Sequence, residues 1–346
     1  MSWLRVNLFS SWGNAALTVV AAILLYLVLA PAIEWALIEA QWSGESRAAC
    51  GGVGACWVFV KARFGQFVYG FYPAPERWRV DLVFLLPFAL WAVLRRARAG
   101  TIVPVVVAYP VLAALVLAGG VFGLAPVETS KWGGLMLTLV IAVTGIAFSL
   151  PLGILLALGR RSERPVIRAL SVAYIELWRG VPLITVLFMA SVMLPLFLPE
   201  GVTVDKLVRA LVGVTLFAAA YVAEVVRGGL QAIPRGQFEA AAALGLRYWQ
   251  AHRLVIPPQA LRIVIPGLVN VFIALLKDTT LVLIIGLFDL LGMIQAALAD
   301  PNWLGYSMEG YVFAGVVFWA LCFSLSRVSL RIEARLAQAQ GAQQRR

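Results

Sequence analysis

The chain has 346 residues, of which 62% are hydrophobic and 13% are charged, and its formal net charge is +11. A soluble domain could not cover so much apolar surface with so few polar residues, so the composition excludes a soluble globular protein and indicates an integral membrane protein. In that class, excess arginine is typical of cytoplasmic loops and does not by itself indicate nucleic-acid binding.

Apolar segments long enough to span a bilayer, which takes about 20 helical residues, recur eight times along the chain. They lie at about 14–38, 80–96, 102–124, 132–158, 175–198, 207–229, 262–286 and 307–331. The second is short and contains Pro87, and the first is too long to be a cleavable signal peptide. The sequence therefore predicts an all-α integral membrane protein with about eight transmembrane helices.

The orientation follows from the distribution of arginine. The short loops after the second, fourth and sixth segments, and the tail after the eighth, are rich in arginine. The short loops on the other side hold only Lys131, Lys206 and Arg209 as positive residues. Since positive residues accumulate in cytoplasmic loops, we expect both termini in the cytoplasm.

The first external loop, residues 39–79, is the longest. Its segment CGGVGAC contains Cys50 and Cys56, which an oxidising compartment would allow to form a disulfide; two free cysteines are the alternative. Its end, ARFGQFVYGFYPAPERW, is rich in aromatic residues. Such a cluster is typical of an interfacial belt, and the alternative is a docking surface for an external partner.

Ionisable residues within the predicted spans are costly in lipid and are therefore candidates for a function. Glu176 and Arg179 are three residues apart, as are Glu224 and Arg227. Residues at this spacing share one face of a helix, so we interpret both as structural charge pairs.

Lys277 and Asp278 differ, because neighbours in sequence do not share a helix face. They lie in the seventh span and are followed by Thr279 and Thr280. A carboxylate and hydroxyls that open on a cavity could receive the ammonium group of an amino acid. The four residues are therefore candidates for a translocation pathway, and internal pairing with another span is the alternative for Asp278.

A charged, alanine-rich segment, residues 234–260, interrupts the apolar spans. Pro234 suits a first helical turn, Gly245 suits a left-handed helix end, and a second short helix is predicted at about 247–254, before Pro257 and Pro258. The small side chains of 240–243 would let another protein approach closely. We predict a docking element, with an amphipathic loop lying on the membrane as the alternative.

Enzyme motifs are missing from the sequence. None of the four lysines follows the glycine pattern of a phosphate-binding P-loop. The single histidine, His252, and the scattered carboxylates form no pattern typical of a metal site or a catalytic triad. We therefore expect a transport subunit with no catalytic residue, no metal and no cofactor of its own.

The segment EAAAALGLRYWQAHRLVIPPQAL resembles the EAA signature of the membrane subunits of ABC importers. The residues that match are Glu239, Ala240, Ala241, Gly245 and Pro258. Val255 stands for the isoleucine of the signature and Pro257 for its leucine. The resemblance implies that this segment is a coupling helix that docks on an ATP-hydrolysing subunit.

Other segments indicate which group of ABC importers the chain resembles. AYVAEVVRGGLQAIPRGQ, ELWRGVPLI and LLKDTTLVLIIG resemble the polar amino-acid importer permeases, and GACWVFVKARFGQFVYGFYP resembles the longer permeases of general L-amino-acid importers, the AapM/BztC type. The resemblance implies that the last five spans form a type I ABC importer permease core in a bacterial inner membrane. It further implies four kinds of partner: a second homologous permease, two ATPase subunits that use ATP and Mg²⁺, a periplasmic amino-acid-binding protein, and an L-amino-acid substrate.

These observations divide the chain into an N-terminal extension (1–126), which includes the external loop 39–79, and a transport domain (132–336), which includes the coupling loop 234–260. A cytoplasmic tail, 337–346, follows. The rival function is an ion-coupled secondary amino-acid transporter. It predicts paired inverted repeats, which the sequence does not display, and it gives the EAA segment no role.

Overall fold

The computed structural model describes residues 2–94, 99–121, 123–247, 250 and 255–344. Within these ranges the chain is helical, and β pairing is limited to isolated bridges. The helices are α1 (Ser2–Asn7), α2 (Trp12–Ile33), α3 (Trp57–Tyr69), α4 (Trp78–Leu94), α5 (Ala99–Ala118), α6 (Gly134–Arg160), α7 (Pro165–Gly180), α8 (Leu183–Phe188), α9 (Lys206–Gln231), α10 (Arg235–Ala243), α11 (Ile256–Asp278), α12 (Leu290–Leu298) and α13 (Ser307–Gln344). The predicted all-α class is confirmed.

Among the described residues, five helical segments are long and apolar enough to cross a membrane. They are Trp12–Ile38, Gly134–Arg160, Lys206–Gln231, Ile263–Ile285 and Ser307–Ala334, and they match the first, fourth, sixth, seventh and eighth predicted spans. The second and third predicted spans correspond to α4 and α5. Helix α4 has 17 residues, which reach about 25 Å, somewhat less than the hydrocarbon thickness of about 30 Å.

The fifth predicted span, 175–198, is not a single helix. α7 ends at Gly180, and the segment Leu183–Phe197 leaves it at an angle of 101°. Pro182 disfavours a helical conformation in the residue before it, and Val181 is accordingly extended, with φ −108° and ψ 133°. The pair counts at most as one further span, which gives up to six spans in the described chain where the sequence predicted about eight.

The chain forms two compact units. One consists of Met1–Phe64 and Gln295–Phe313, and the other of Gly65–Ile294 and Ala314–Arg346. In the first unit, Cys50 and Cys56 form a disulfide, with their Cα atoms 5.5 Å apart. The backbone N–H of Cys56 donates to the Glu309 carboxylate at 2.9 Å, so the cysteine loop is attached to the first turn of α13.

The aromatic residues of the predicted loop do not share one environment. Phe67 and Tyr72 are buried, and the Tyr72 hydroxyl donates to the Leu117 carbonyl at 2.7 Å. Phe71 and Trp78 are exposed. Only part of the cluster can therefore lie at an interface, because Phe67 and Tyr72 belong to the core.

In the second unit, small residues bring α6, α9 and α11 close together. A Cβ at Gly153 of α6 would lie 2.9 Å from the Ala219 carbonyl oxygen of α9, and a Cβ at Gly229 would lie 2.9 Å from the Ala260 carbonyl oxygen of α11. Helices in lipid associate through this kind of close packing, since burial of apolar surface drives little association there. Helix α9 therefore lies against both neighbours.

Candidate coupling and translocation sites

Helix α10 is the element predicted to dock on another protein. Pro234 precedes it with φ −58° and ψ 142°, and Gly245 follows it with φ +70°. The N–H of Leu246 donates to the Ala241 carbonyl at 3.1 Å, and that of Gly245 to the Ala242 carbonyl at 2.9 Å. This pair of bonds is the Schellman end of a helix, so the left-handed glycine predicted from the sequence is present.

The two faces of α10 have different environments. Ala241 is 3% exposed, and Phe238 packs against the buried cluster that contains Leu230 and Ile233. The opposite face is exposed and includes Glu239, Ala240, Ala243 and Leu244. Leu244 is 80% exposed, so this face presents one large apolar side chain.

The prediction that Ala241 lies on a docking face is therefore wrong. Successive residues of a helix are about 100° apart, so the four residues 240–243 cannot share one face. Glu239 and Ala240 remain on the accessible face, and Gly245 shapes its end.

The second half of the coupling loop is described only in part. His252 and most of the short helix predicted at about 247–254 lie outside the described residues. Pro257 and Pro258 lie in the first turn of α11, which begins at Ile256. Proline fits that position because the first N–H groups of a helix have no intrahelical partner.

Charged residues of α6, α7 and α9 form a cluster. The carboxylate of Glu224 on α9 contacts the Arg227 guanidinium and lies 3.6 Å from both Arg160 on α6 and Arg179 on α7. Glu176 lies 3.0 Å from Arg160. The predicted Glu224–Arg227 pair is therefore formed, whereas the predicted Glu176–Arg179 pair is wrong: packing of α7 on its neighbours offers both residues closer partners on other helices.

A cavity of about 480 Å³ lies between α8, α9 and α11. Most of its lining is apolar, and its polar side chains are Tyr221 of α9 with Asn270 and Asp278 of α11. Asn270 and Asp278 are eight residues apart, so they lie on the same face of the helix, about two turns from each other. Helix α11 ends at Asp278, and residues 279–285 continue as a 3-10 helix.

The family described as "Binding-protein-dependent transport system inner membrane component" matches residues 149–338, more than half of the chain. The chain belongs to this family.

Similarity also extends over nearly the whole chain. It is 57% identical over 340 residues to the inner membrane amino-acid ABC transporter permease protein YhdY of Escherichia coli, which covers 97% of this chain and 92% of the relative. It is 40% identical over 406 residues to the glutamate/glutamine/aspartate/asparagine transport system permease protein BztC of Rhodobacter capsulatus, which covers 97% and 93%. The expected resemblance to the AapM/BztC type is thus confirmed, and neither relative supports the ion-coupled alternative.

A solved structure gives the same result for the fold. "Crystal structure of an amino acid ABC transporter with histidines" matches with a TM-score of 0.52 and 29% sequence identity, covering 58% of this chain and 92% of that chain. The matched core is that of a type I ABC importer permease. The chain is a transport component, and ATP hydrolysis in such importers belongs to separate subunits.

In this permease, only Asp278 of the four predicted pathway residues lines the described cavity. The Thr279 side chain is buried, 1% exposed, and its hydroxyl donates to the Leu276 carbonyl at 2.8 Å. The Thr280 hydroxyl donates to the Lys277 carbonyl at 2.9 Å. Both hydroxyls thus bond to their own helical turn, as threonine hydroxyls commonly do, and neither residue lines this cavity.

Sequence reasoning missed two polar residues of the cavity, Asn270 and Tyr221. A signal for the first was present, since Asn270 is the only amide side chain in the apolar segment 262–286 and lies two turns before Asp278. Tyr221 gave none, because a tyrosine in a membrane helix is ordinary without knowledge of which face it occupies.

Proposed function

We propose that this chain is the permease subunit of an ATP-driven importer of polar L-amino acids, and that it forms half of the translocation pathway. The observation that supports this is the outer face of α10, where Glu239, Ala240 and the exposed Leu244 lie on a short helix whose inner face is packed into the core. A firmly held helix with a small, partly apolar outer surface is suited to dock in a groove of another protein.

Glu239, Ala240 and Gly245 would form or shape the contact with the ATPase subunit, and Pro258 would lie in the first turn of the helix that follows, α11. Ala241 would support the contact from the inside. ATP and Mg²⁺ would be bound by the ATPase subunits, which would move α10 as they close and open.

The 480 Å³ cavity supports a role in translocation. Asp278 could receive the ammonium group of an amino acid, while Asn270 and Tyr221 could donate hydrogen bonds to its carboxylate. A mostly apolar cavity with a few polar groups fits a small ligand that must be bound weakly enough to leave.

The partners would be a second homologous permease, a pair of ATPase subunits and a periplasmic amino-acid-binding protein. Both termini would lie in the cytoplasm, with the extension 1–126 preceding the transport domain 132–336. In this orientation α10 would face the cytoplasm, as docking on an ATPase requires, and the disulfide loop would face the periplasm.

Copurification tests the docking role. The tagged chain, expressed in its own host and solubilised in detergent, should retain an ATPase. Leu244→Arg should lose it, because a charge would replace an apolar contact. Leu304→Arg is the matched control, since Leu304 is also an exposed leucine outside the candidate spans. Equal retention of the ATPase by both variants would contradict the proposed docking face.

A further inference from the structure

Arg160 and Arg161, adjacent at the end of α6, have different partners. Arg160 pairs with Glu176 and Glu224, within the charge cluster. Arg161 donates from Nη1 to the Leu230 carbonyl at 3.0 Å, and its guanidinium carbon lies 5.4 Å from the ring centre of Phe238. Arg161 is therefore in contact with both α9 and α10.

Arg161 donates a hydrogen bond at the end of one helix and places its charge over an aromatic ring on the inner face of another. Leu230 lies in the last turn of α9, where carbonyl groups have no intrahelical partner, and the guanidinium supplies a donor. Phe238 is the large side chain on the inner face of α10, and a cation over its ring is attracted by the negative face of the ring.

Between α9 and α10 lie only residues 232–234. Such a linker could bend when α10 is displaced, and the displacement would then not reach the membrane helices. Arg161 bridges this linker, because it contacts Leu230 before it and Phe238 after it.

We infer that Arg161 is a positioning residue that makes α10 move as one body with the adjoining ends of α6 and α9. Its role is to pass displacement of α10 to the membrane helices. This inference rests on the proposed docking of α10 on an ATPase, and it adds the residue through which the movement is transmitted.

The first test measures the contact itself, by hydrogen–deuterium exchange of α10 amides in the detergent-solubilised full chain. Arg161→Met keeps an unbranched side chain and removes both the charge and the donor, and it should speed exchange about 3- to 10-fold. Phe238→Leu should have a similar effect, and the double variant should exceed neither single variant by much. Arg161→Lys retains a cation and a donor and should restore much of the protection.

Arg160→Met is the matched control, since Arg160 has the same charge at the neighbouring position and its ion pairs lie on α7 and α9. It should leave exchange in α10 unchanged. Equal exchange in Arg161→Met and the unchanged chain, or equal acceleration by Arg160→Met, would overturn the inference.

The second test measures transmission, as amino acid taken up per ATP hydrolysed by the complex in liposomes. Arg161→Met should retain the ATPase and lower this ratio several-fold, and Arg161→Lys should recover it. Faster exchange with an unchanged ratio would refute transmission. Failure of the proposed function would be recognised separately, because the unchanged chain would then retain no ATPase while the exchange comparison still held.

Discussion

Gln259 on α11 donates a hydrogen bond to the Gln237 side chain on α10 at 3.1 Å, and also to the Val255 carbonyl at 3.1 Å. The helix that carries Asn270 and Asp278 is thereby attached directly to the proposed docking helix. A displacement of α10 would act at the first turn of α11, and Asn270 and Asp278 lie on that helix about three and about five turns further along. This attachment relates the two candidate sites through one continuous helix.

The glycine that ends α10 provides the first prediction. Gly245 has φ +70°, and a Cβ there would meet no heavy atom within 4 Å. Valine at this position would therefore be opposed by backbone strain alone, at a cost of about 1–2 kcal/mol. We expect Gly245→Val to insert normally in the membrane but to lose uptake and substrate-stimulated ATP hydrolysis.

Gly236 is a matched control for this substitution. It also lies in α10 with open space around its Cβ position, but its φ is not in the left-handed region. Gly236→Val should keep uptake close to that of the unchanged chain. Normal uptake by Gly245→Val as well would show that the end of α10 does not matter for coupling.

The charge cluster predicts unequal effects for two glutamates. Glu224 contacts three arginines, whereas Glu176 contacts one and has a more exposed side chain. Glu224→Gln removes the anion beside the partly buried guanidinium groups of Arg179 and Arg227, so it should lower stability by about 1–3 kcal/mol. Glu176→Gln should cost less than about 1 kcal/mol. Thermal unfolding in detergent would measure both, and equal losses would contradict the central position of Glu224.

Features of the fold that depend on local backbone preferences could be predicted from the sequence. Features that depend on contacts between distant residues could not. The left-handed Gly245 and the helix before it were predictable, because both follow from local backbone preferences. The sharp bend at Val181 and Pro182 was not predicted, although the proline was visible, since hydropathy alone treats the segment as one span.

The candidate sites, too, could be predicted from the sequence only where their residues are neighbours within one helix. Spacing identified the Glu224–Arg227 pair within one helix, but the partners of Glu176 and Arg179 lie on other helices and depend on packing. Asp278 was singled out by its charge. Its neighbours in the cavity, Tyr221 and Asn270, could be identified only once α9 and α11 were placed side by side.

The cysteine loop makes a chemical prediction. Cys50 and Cys56 are bonded in the structure, and Cys322 is free. Protein isolated from an oxidising compartment and alkylated without reduction should carry one carbamidomethyl group, on Cys322. Mass spectrometry of the loop peptide decides this, and two carbamidomethyl groups on the loop would contradict the bond.

Asp289 makes the stability of the chain depend on pH. Burial raises the pKa of its carboxyl to about 6, against hydrogen bonds from backbone N–H groups of Gly292 and Leu291 that lower the pKa. The folded state therefore binds this proton more tightly than the unfolded state does. Stability should fall as the pH rises from about 4 to about 6 and should then level off, with a total change of roughly 3 kcal/mol from this group.

Asp289→Asn isolates this contribution, because the amide oxygen can still accept the Gly292 N–H that the carboxylate accepts at 2.9 Å. The variant should lose the decrease between about pH 4 and 6 and should be more stable than the unchanged chain at pH 7. Parallel stability curves for the two proteins would show that Asp289 does not titrate in this range.

Asp278 provides the prediction that bears most directly on transport. Its carboxylate lines the cavity with Asn270 and Tyr221. Asp278→Asn preserves size and hydrogen-bonding capacity, so the complex should assemble. Loss of the charge should weaken the hold on positive groups, and uptake of arginine should fall about tenfold or more, as expected for a charge-assisted hydrogen bond. Uptake of glutamate should fall less, because its additional negative charge would no longer face a carboxylate.

Thr280→Val is the control for Asp278→Asn, since the Thr280 hydroxyl bonds to its own helical turn and does not line the cavity. It should leave both uptake rates near normal. Uptake is normalised to the amount of assembled complex, which separates contact with substrate from a structural role. If Asp278 only supports the fold, Asp278→Asn will reduce the amount of complex, while the uptake of arginine and glutamate per complex stays in the same ratio as in the unchanged chain.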